Sequence, residues 1–259
     1  LHSSSLLNYL ENNKAEKIAP RIKFELNIIK NADVVVSVSN YLKEGVLDFF
    51  PKVNNINVIY NGINRDIFKM AHKKMSKSNI LFVGNISAEK GLINLLEAWE
   101  IVIRKKQKFK LNFIGPYKSE FLKKYFDKYG RSFKETVQFR GPVKNHELVS
   151  YYQEATVVVI PSHFEANPLV LLEAMSCGCA VICPNHTGFS EIIIDGENGI
   201  FCDTKNAEEF ANQIIRLLDN DKLRNEIGLN AEKYISKKFD HRVTLKSNID
   251  LYQNVIDGC

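Results

Sequence analysis

The sequence has few cysteines and no long apolar run. Its five cysteines are an odd number, which argues against a framework of disulfide bonds. Cys177, Cys179 and Cys183 lie close together, but they belong to an apolar predicted helix and strand, so buried structural thiols are favoured over a metal site. No stretch of the sequence approaches the roughly 18 apolar residues that a membrane-spanning helix requires.

The charge balance is only mildly basic, with 35 Lys and Arg against 30 Asp and Glu and a net charge of +5. Such an excess is typical of a solvated surface, so nucleic-acid binding is not expected, and peripheral contact with a membrane surface is favoured over it. A content of 45% hydrophobic and 25% charged residues is ordinary for a globular protein. The length of 259 residues allows one large domain or two smaller ones.

From residue 79 to residue 202, short β-branched runs alternate with amphipathic stretches. This alternation predicts an α/β fold of βαβ units on a parallel sheet, and it assigns Trp99 to a core-facing helix stripe. Ligands of such sheets bind beyond the carboxyl ends of the strands, where Gly84, Gly115, Gly141 and Ser162 lie. The predicted strands are 80–83, 111–114, 137–139, 157–160, 180–183 and 199–201.

A helix start is predicted directly after the strand 157–160. Asn167 is a suitable N-cap, Pro168 suits the first helical position, and the apolar helix that follows would end at Gly178. The free amides at a helix start attract anions, so the backbone N–H groups of Leu169 and Val170 are candidates for phosphate contacts.

Two glutamates lie on either side of this helix start. Glu165 precedes it and could be a loop carboxylate that favours the helix dipole, whereas Glu173 lies inside the helix among apolar neighbours, where an unpaired charge would be costly. The pair suits a phosphorylated ligand that carries hydroxyl groups at both ends. We therefore favour a functional role for both.

The spacing of Glu165 and Glu173 resembles the E-x7-E signature of retaining glycosyltransferases of family 4, which have the GT-B fold. The resemblance covers almost the whole chain from about residue 32 onward. It implies a complete C-terminal Rossmann-like donor domain with a parallel sheet, plus a remnant of the N-terminal Rossmann-like domain. Further matching stretches are 79–91, 137–141, 161–162, 188–191 and 198–199.

The resemblance also implies the domain organisation. Residues 1–66 would be the remnant of the acceptor-side domain and the hinge, with strands at 34–38 and 56–60 and a helix at 40–50. Residues 67–240 would form the nucleotide-sugar-binding domain, and 241–259 the helix that crosses back. More than a hundred residues of the first domain are expected to be absent, so the chain would bind donor but transfer sugar poorly.

The phosphate-binding residues follow from the same resemblance. Lys90 resembles the lysine that holds the donor diphosphate, in a loop that begins at Gly84. Where the family usually has an arginine as a second phosphate clamp, this sequence has Asn85, which can donate hydrogen bonds but carries no charge. The amides of Leu169 and Val170 would complete the phosphate site.

The sugar and nucleoside contacts are implied in the same way. Glu173 resembles the glutamate that accepts hydrogen bonds from the ribose hydroxyls, and Glu165 the catalytic residue beside the transferred sugar. The loops at Gly115 and Gly141 would contact the base through their backbone. His2 is a candidate for the histidine that faces the reacting sugar.

The resemblance therefore predicts a retaining glycosyltransferase that moves a sugar from a nucleotide-diphosphate sugar to a glycan or lipid-linked acceptor. The expected donor is a UDP-sugar or GDP-sugar, no cofactor or metal is expected, and the expected location is cytoplasmic, with peripheral contact at the inner face of the membrane. The alternative is a non-catalytic nucleotide-sugar-binding module, which Asn85 favours. A sugar-nucleotide epimerase, a glycogen-phosphorylase-like protein and a Rossmann dehydrogenase are disfavoured, the last because no G-x-G-x-x-G follows the first strand of the domain.

Overall fold

The computed structural model describes residues 20–49, 51, 53, 55–71 and 79–258. Residues 20–58 include a small N-terminal unit, in which two strands pair in parallel with Val35 opposite Ile56. Val35, Leu42 and Ile56 belong to its apolar core. Its predicted strands and helix are confirmed, although the strands are shorter than predicted. The elements of this unit are α1 (Pro20–Asn31), β1 (Val35–Ser37), α2 (Asn40–Phe49) and β2 (Ile56–Val58).

The remainder of the described chain is built on a six-stranded parallel sheet, which confirms the predicted α/β fold. All six predicted strands are present, within two residues of the predicted bounds. Side chains of the strands are buried on both faces of the sheet, as expected for parallel strands between helices. The strands are β3 (Asn79–Val83), β4 (Lys110–Ile114), β5 (Val137–Phe139), β6 (Ala155–Val159), β7 (Val181–Cys183) and β8 (Ile200–Phe201).

Helices cover both faces of this sheet. Trp99 is fully buried in one of the two apolar clusters that include residues of the sheet, and its indole N–H donates to Thr136 Oγ1 at 2.9 Å, which confirms its assignment to the core. The helices are α3 (Leu92–Lys105), α4 (Ser119–Phe126), α5 (Arg131–Lys134), α6 (Asn145–Glu154), α7 (Leu169–Ser176), α8 (Ala207–Asp219), α9 (Asp221–Lys238) and α10 (His241–Asp257), with a 3-10 helix at Thr187–Glu191.

The order of the strands, β5-β4-β3-β6-β7-β8, fixes where a ligand can bind. The chain adds strands on one side of β3 as far as β5, then returns to pair β6 with the other side of β3. The loops that follow β3 and β6 therefore leave the sheet in opposite directions. Such a switch point opens a crevice at the carboxyl ends of the two strands.

Two distant passes of the chain run side by side between the N-terminal unit and the sheet. Ile63 N donates to Phe239 O at 2.8 Å, and His241 N donates to Ile63 O at 3.0 Å. α10 begins immediately after this crossing, because Asp240 caps it by accepting a hydrogen bond from Arg242 N at 2.9 Å. Several large apolar side chains of α10 are exposed, with Tyr252 67% and Ile256 73% accessible.

The described cysteines lie inside the protein, as predicted. Cys177, Cys179, Cys183 and Cys202 are all buried. Burial raises the pKa of the Cys202 thiol to about 12, so this thiol stays protonated at neutral pH. Within the described ranges, none of the helices is both long and apolar enough to cross a membrane.

Candidate functional site

A cleft of about 340 Å³ opens at the carboxyl ends of β3 and β6, at the switch point of the sheet. Six of the residues predicted to bind or act on the donor line it: Gly84, Asn85, Lys90, Glu165, Leu169 and Val170. Glu173, Gly115 and Gly141 lie outside the lining, and His2 lies outside the described residues. The other lining residues are Asn61, Val83, Ile160, Ser162, Asn167 and Pro168.

The start of α7 forms one wall of the cleft, one residue later than predicted. Pro168, and not Asn167, occupies the N-cap, with φ −74° and ψ 105°. The predicted capping role of Asn167 is therefore wrong. Its side-chain oxygen accepts no hydrogen bond from the helix, and its side-chain amide donates to Val38 O of the N-terminal unit at 2.8 Å. Gly178 follows the end of α7, as predicted, and adopts the left-handed conformation with φ 70°.

The shifted start leaves two amides available to a ligand. The first bonds within the helix are donated by Leu171 N and Leu172 N, which reach Pro168 O at 3.0 and 3.3 Å. The N–H groups of Leu169 and Val170 precede them and have no acceptor within the helix. Both residues line the cleft, so its wall carries the positive end of the helix dipole.

Lys90 and Glu165 form an ion pair across the cleft, with Lys90 Nζ 2.6 Å from Glu165 Oε1. The turn after β3 carries Lys90, and the loop after β6 carries Glu165. These two segments are joined at their backbones, since His163 N donates to Glu89 O at 3.0 Å. The sequence identified both side chains but gave no sign that each is the other's partner.

Asn85 leaves the cleft with little positive side-chain charge. Among the twelve described residues that line the cleft, Lys90 is the only cation. The Glu165 carboxylate offsets the charge of Lys90. A phosphate group would therefore be held by one lysine and the amides of α7, without a second charged clamp from the lining.

Glu173 is half-buried on α7, one turn beyond Leu169 and Val170 and on the same face of the helix. Its Oε2 accepts a hydrogen bond of 2.7 Å from the hydroxyl of Tyr152 on α6. Burial raises the pKa of the Glu173 carboxyl, and the hydrogen bond from Tyr152 partly opposes that shift. Tyr152 was missed from the sequence because a tyrosine in a helical apolar stripe looks like any core residue.

The glycines at the ends of β3, β4 and β5 bring three loops into contact beside the cleft. Gly115 N donates to Gly141 O, and Gly84 N donates to Ile114 O, both at 2.9 Å. A Cβ atom on Gly115 would lie 2.0 Å from Gly84 O, so the two loops can approach this closely only without a side chain. These glycines thus allow close packing of the loops on one side of the cleft, the side formed by β3, β4 and β5.

Comparison with known proteins shows which family the chain belongs to. The family model described as glycosyl transferases group 1 matches residues 64–234, more than half of the chain. An uncharacterized glycosyltransferase of Methanocaldococcus jannaschii is 28% identical over 89% of the chain and 60% of its own length. The capsular polysaccharide biosynthesis glycosyltransferase CapM of Staphylococcus aureus is 25% identical over 86% of the chain and 62% of its own length. The chain thus spans about three fifths of these relatives.

Two solved structures show the same fold at low identity. Sucrose-phosphate synthase from Thermosynechococcus elongatus superposes with a TM-score of 0.84 at 24% identity, covering 100% of this chain and 67% of that one. Anabaena HepE, in complex with UDP and glucose, gives a TM-score of 0.81 at 18% identity and covers 98% and 70%. The fold is thus of the GT-B type, and the chain belongs to the glycosyl transferases group 1 family.

Proposed function

We propose that the chain carries the donor site of a retaining glycosyltransferase of family 4. This enzyme would move a sugar from a nucleotide-diphosphate sugar to a glycan or lipid-linked acceptor. The observation that carries the proposal is the ion pair of Lys90 and Glu165 at 2.6 Å, facing the free amides of α7 in one cleft. The cleft volume falls within the range of small-molecule sites.

Each part of the cleft suits one part of such a donor. Lys90 and the amides of Leu169 and Val170 offer positive charge and hydrogen-bond donors to a diphosphate. Glu165 lies beside Lys90 and would accept hydrogen bonds from the sugar. Glu173, one turn along the same helix face, would accept them from the ribose hydroxyls.

The same groups would promote the transfer. As the bond from sugar C1 to the phosphate oxygen breaks, negative charge grows on the leaving diphosphate, where Lys90 and the start of α7 stabilise it. The acceptor oxygen attacks C1 from the face that the diphosphate leaves, and its proton passes to a phosphate oxygen, so the anomeric configuration is retained. We propose that this arrangement needs no metal or other cofactor.

We propose a UDP-sugar or GDP-sugar as the donor and a surface glycan as the acceptor; one relative supports a UDP-sugar and another supports the acceptor. HepE, which shares the fold, has been solved with UDP-glucose, and CapM acts in capsular polysaccharide biosynthesis by its name. His2 stays a candidate for the side chain that faces the reacting sugar. The remaining acceptor contacts would come from parts of the relatives that this chain does not span.

Calorimetric titration with UDP, GDP and ADP tests the donor site. We expect one of the three to bind, and Glu173→Ala to weaken it by about tenfold or more, because a hydrogen bond to a charged group contributes about 1.5–3 kcal/mol. Glu226→Ala, which removes an exposed carboxylate from α9, is the matched control. A folded chain that binds none of the three would contradict the proposal.

We also propose that the protein acts in the cytoplasm and contacts the inner face of the membrane peripherally. Eleven residues between 104 and 134 are Lys or Arg and two are Asp or Glu, so this segment has a net charge of +9 (11 − 2). Exposed lysines such as Lys123 and Lys124 would each gain about 1 kcal/mol near anionic lipid.

Flotation with phosphatidylserine vesicles tests this contact. We expect binding at low salt that the double substitution Lys123→Glu and Lys124→Glu abolishes. The same double substitution at Lys237 and Lys238, the consecutive exposed lysines of α9, should leave binding intact. Vesicle binding that is absent at low salt, or equal in both variants, would contradict the proposal.

A further inference from the structure

The carboxylate of Glu191 joins two parts of the protein that are far apart in sequence. Glu191 is the last residue of the 3-10 helix that follows β7. Its Oε2 accepts hydrogen bonds from Asn40 N at 2.9 Å, Asn40 Nδ2 at 3.2 Å and the Tyr60 hydroxyl at 2.7 Å. Its Oε1 accepts one from Tyr41 N at 2.7 Å. One side chain thus meets four donors from the N-terminal unit and the connection that follows it.

These contacts cap a helix from outside. Asn40 and Tyr41 are the first residues of α2, whose first amides have no acceptor in their own helix. Ser39 Oγ accepts the next amide, that of Leu42, at 3.2 Å. A carboxylate is favoured at this positive end of the helix dipole. The start of α2 is therefore capped by a side chain of the 3-10 helix on which the N-terminal unit is docked.

The same 3-10 helix supports the loop that carries Glu165. Gly188 N donates to Glu165 O at 2.8 Å. The approach is so close that a Cβ atom on Gly188 would lie 2.0 Å from Ala166 O. The backbone on both sides of the Glu165 carboxylate is thus in contact with the segment that ends in Glu191.

The N-terminal unit holds the opposite side of that loop. The ring of Phe164 packs on the ring of Tyr41, with centroids 5.9 Å apart, and Asn167 Nδ2 donates to Val38 O. Phe164 and Ala166 pack against the apolar core of the unit. The loop 164–167 therefore lies between the 3-10 helix and the N-terminal unit, and Glu191 connects the two.

We propose that Glu191 is a positioning residue for the sugar end of the cleft. By capping α2, it holds the N-terminal unit against the loop 164–167 and so fixes Glu165 beside Lys90. The diphosphate contacts do not depend on it, because β3 and α7 belong to the sheet and its helices. This inference rests on the proposed function of Glu165.

Glu191→Ala tests the proposal in two measurements, with Glu208→Ala, a carboxylate in the first turn of α8, as the matched control. By hydrogen–deuterium exchange, we expect faster exchange in α2 and in 164–167. In binding, we compare UDP with UDP-glucose, GDP with GDP-mannose, and ADP with ADP-glucose. For the pair that binds, affinity for the nucleotide sugar should fall about tenfold, and that for the nucleoside diphosphate should change less than about twofold.

Each other outcome has a distinct meaning. Unchanged exchange at 164–167, or an equal loss of both affinities, would overturn the positioning role. Glu191→Gln keeps an acceptor for Asn40 and Tyr60, so it should recover part of the lost affinity. If only the size of the side chain mattered, Glu191→Gln would recover the affinity fully. If the unaltered chain binds none of the three pairs, the proposed function fails, and the exchange measurement alone decides whether Glu191 holds the loop.

Discussion

Lys90→Ala is expected to weaken binding of the preferred nucleoside diphosphate by about 100-fold. A charged hydrogen bond to phosphate contributes about 1.5–3 kcal/mol, and each 1.4 kcal/mol corresponds to a factor of ten. The loss should fall in the upper part of that range, because removal of Lys90 also leaves Glu165 without its partner. The unpaired carboxylate would then repel the diphosphate. Titration calorimetry at constant ionic strength measures the loss.

A double variant that also removes the charge of Glu165 serves as a control for this prediction. If part of the loss is repulsion by Glu165, the double variant Lys90→Ala, Glu165→Gln should bind the diphosphate about tenfold better than Lys90→Ala alone, because it removes the repelling charge. Lys222→Ala, an exposed lysine of α9, should have no effect. Losses that simply add in the double variant would show that Glu165 does not face the phosphate.

Gly115→Ala is expected to destabilise the fold by about 4 kcal/mol or more, a loss that few single substitutions cause. Two effects add at this position. The backbone has φ +137°, which L residues rarely adopt, and the new Cβ would lie 2.0 Å from Gly84 O. The loops that follow β3 and β4 would have to separate beside the cleft. Thermal unfolding should show the loss as a fall in Tm of about 10 °C.

Two other glycines separate these effects. Gly141→Ala meets a φ of +72° but no atom within 4 Å, so it should cost about 1–2 kcal/mol for the backbone alone. Gly130→Ala meets neither obstacle, since its φ is −70° and no atom lies within 4 Å, and it should be close to neutral. Equal effects of Gly115→Ala and Gly141→Ala would show that the loops can move apart at little cost.

The fold could be predicted from the sequence because its signals are local. The six strands of the sheet are β-branched runs bounded by turn residues. Because both faces of parallel strands are buried, each strand appears in the sequence as one short, mostly apolar run. The order of the strands, and with it the switch point, became known only from the structure, because local signals do not say which strands are neighbours. Of the cleft residues, Gly84 could be identified because it lies just beyond such a strand, and Glu165 because it precedes a predicted helix start. Lys90 was identified only by its resemblance to the phosphate-binding lysine of the family.

The contacts between these residues could not be predicted, since they join distant segments. Lys90 and Glu165 are separated by 75 residues, and Asn40 and Glu191 by 151. The helix start shows the same limit: Asn167 is a residue type that favours the N-cap, but its side chain is held by the N-terminal unit, where its amide donates to Val38 O. A local preference of about 1 kcal/mol gave way to a buried backbone group that needs a partner.

The side-by-side crossing at Ile63 and Phe239 constrains how the protein can be made. Arg242 bonds to Asp66, a residue 176 positions earlier, and Thr244 Oγ1 donates to Tyr60 O at 3.0 Å. At a synthesis rate of about 5–20 residues per second, the segment 60–66 leaves the ribosome roughly 10–35 s before its partners exist. The sheet can form during that interval, but the crossing cannot. The crossing at Ile63 and Phe239 is therefore among the last parts to assemble. If the ribosome stalls before residue 239, the nascent chain cannot form this crossing.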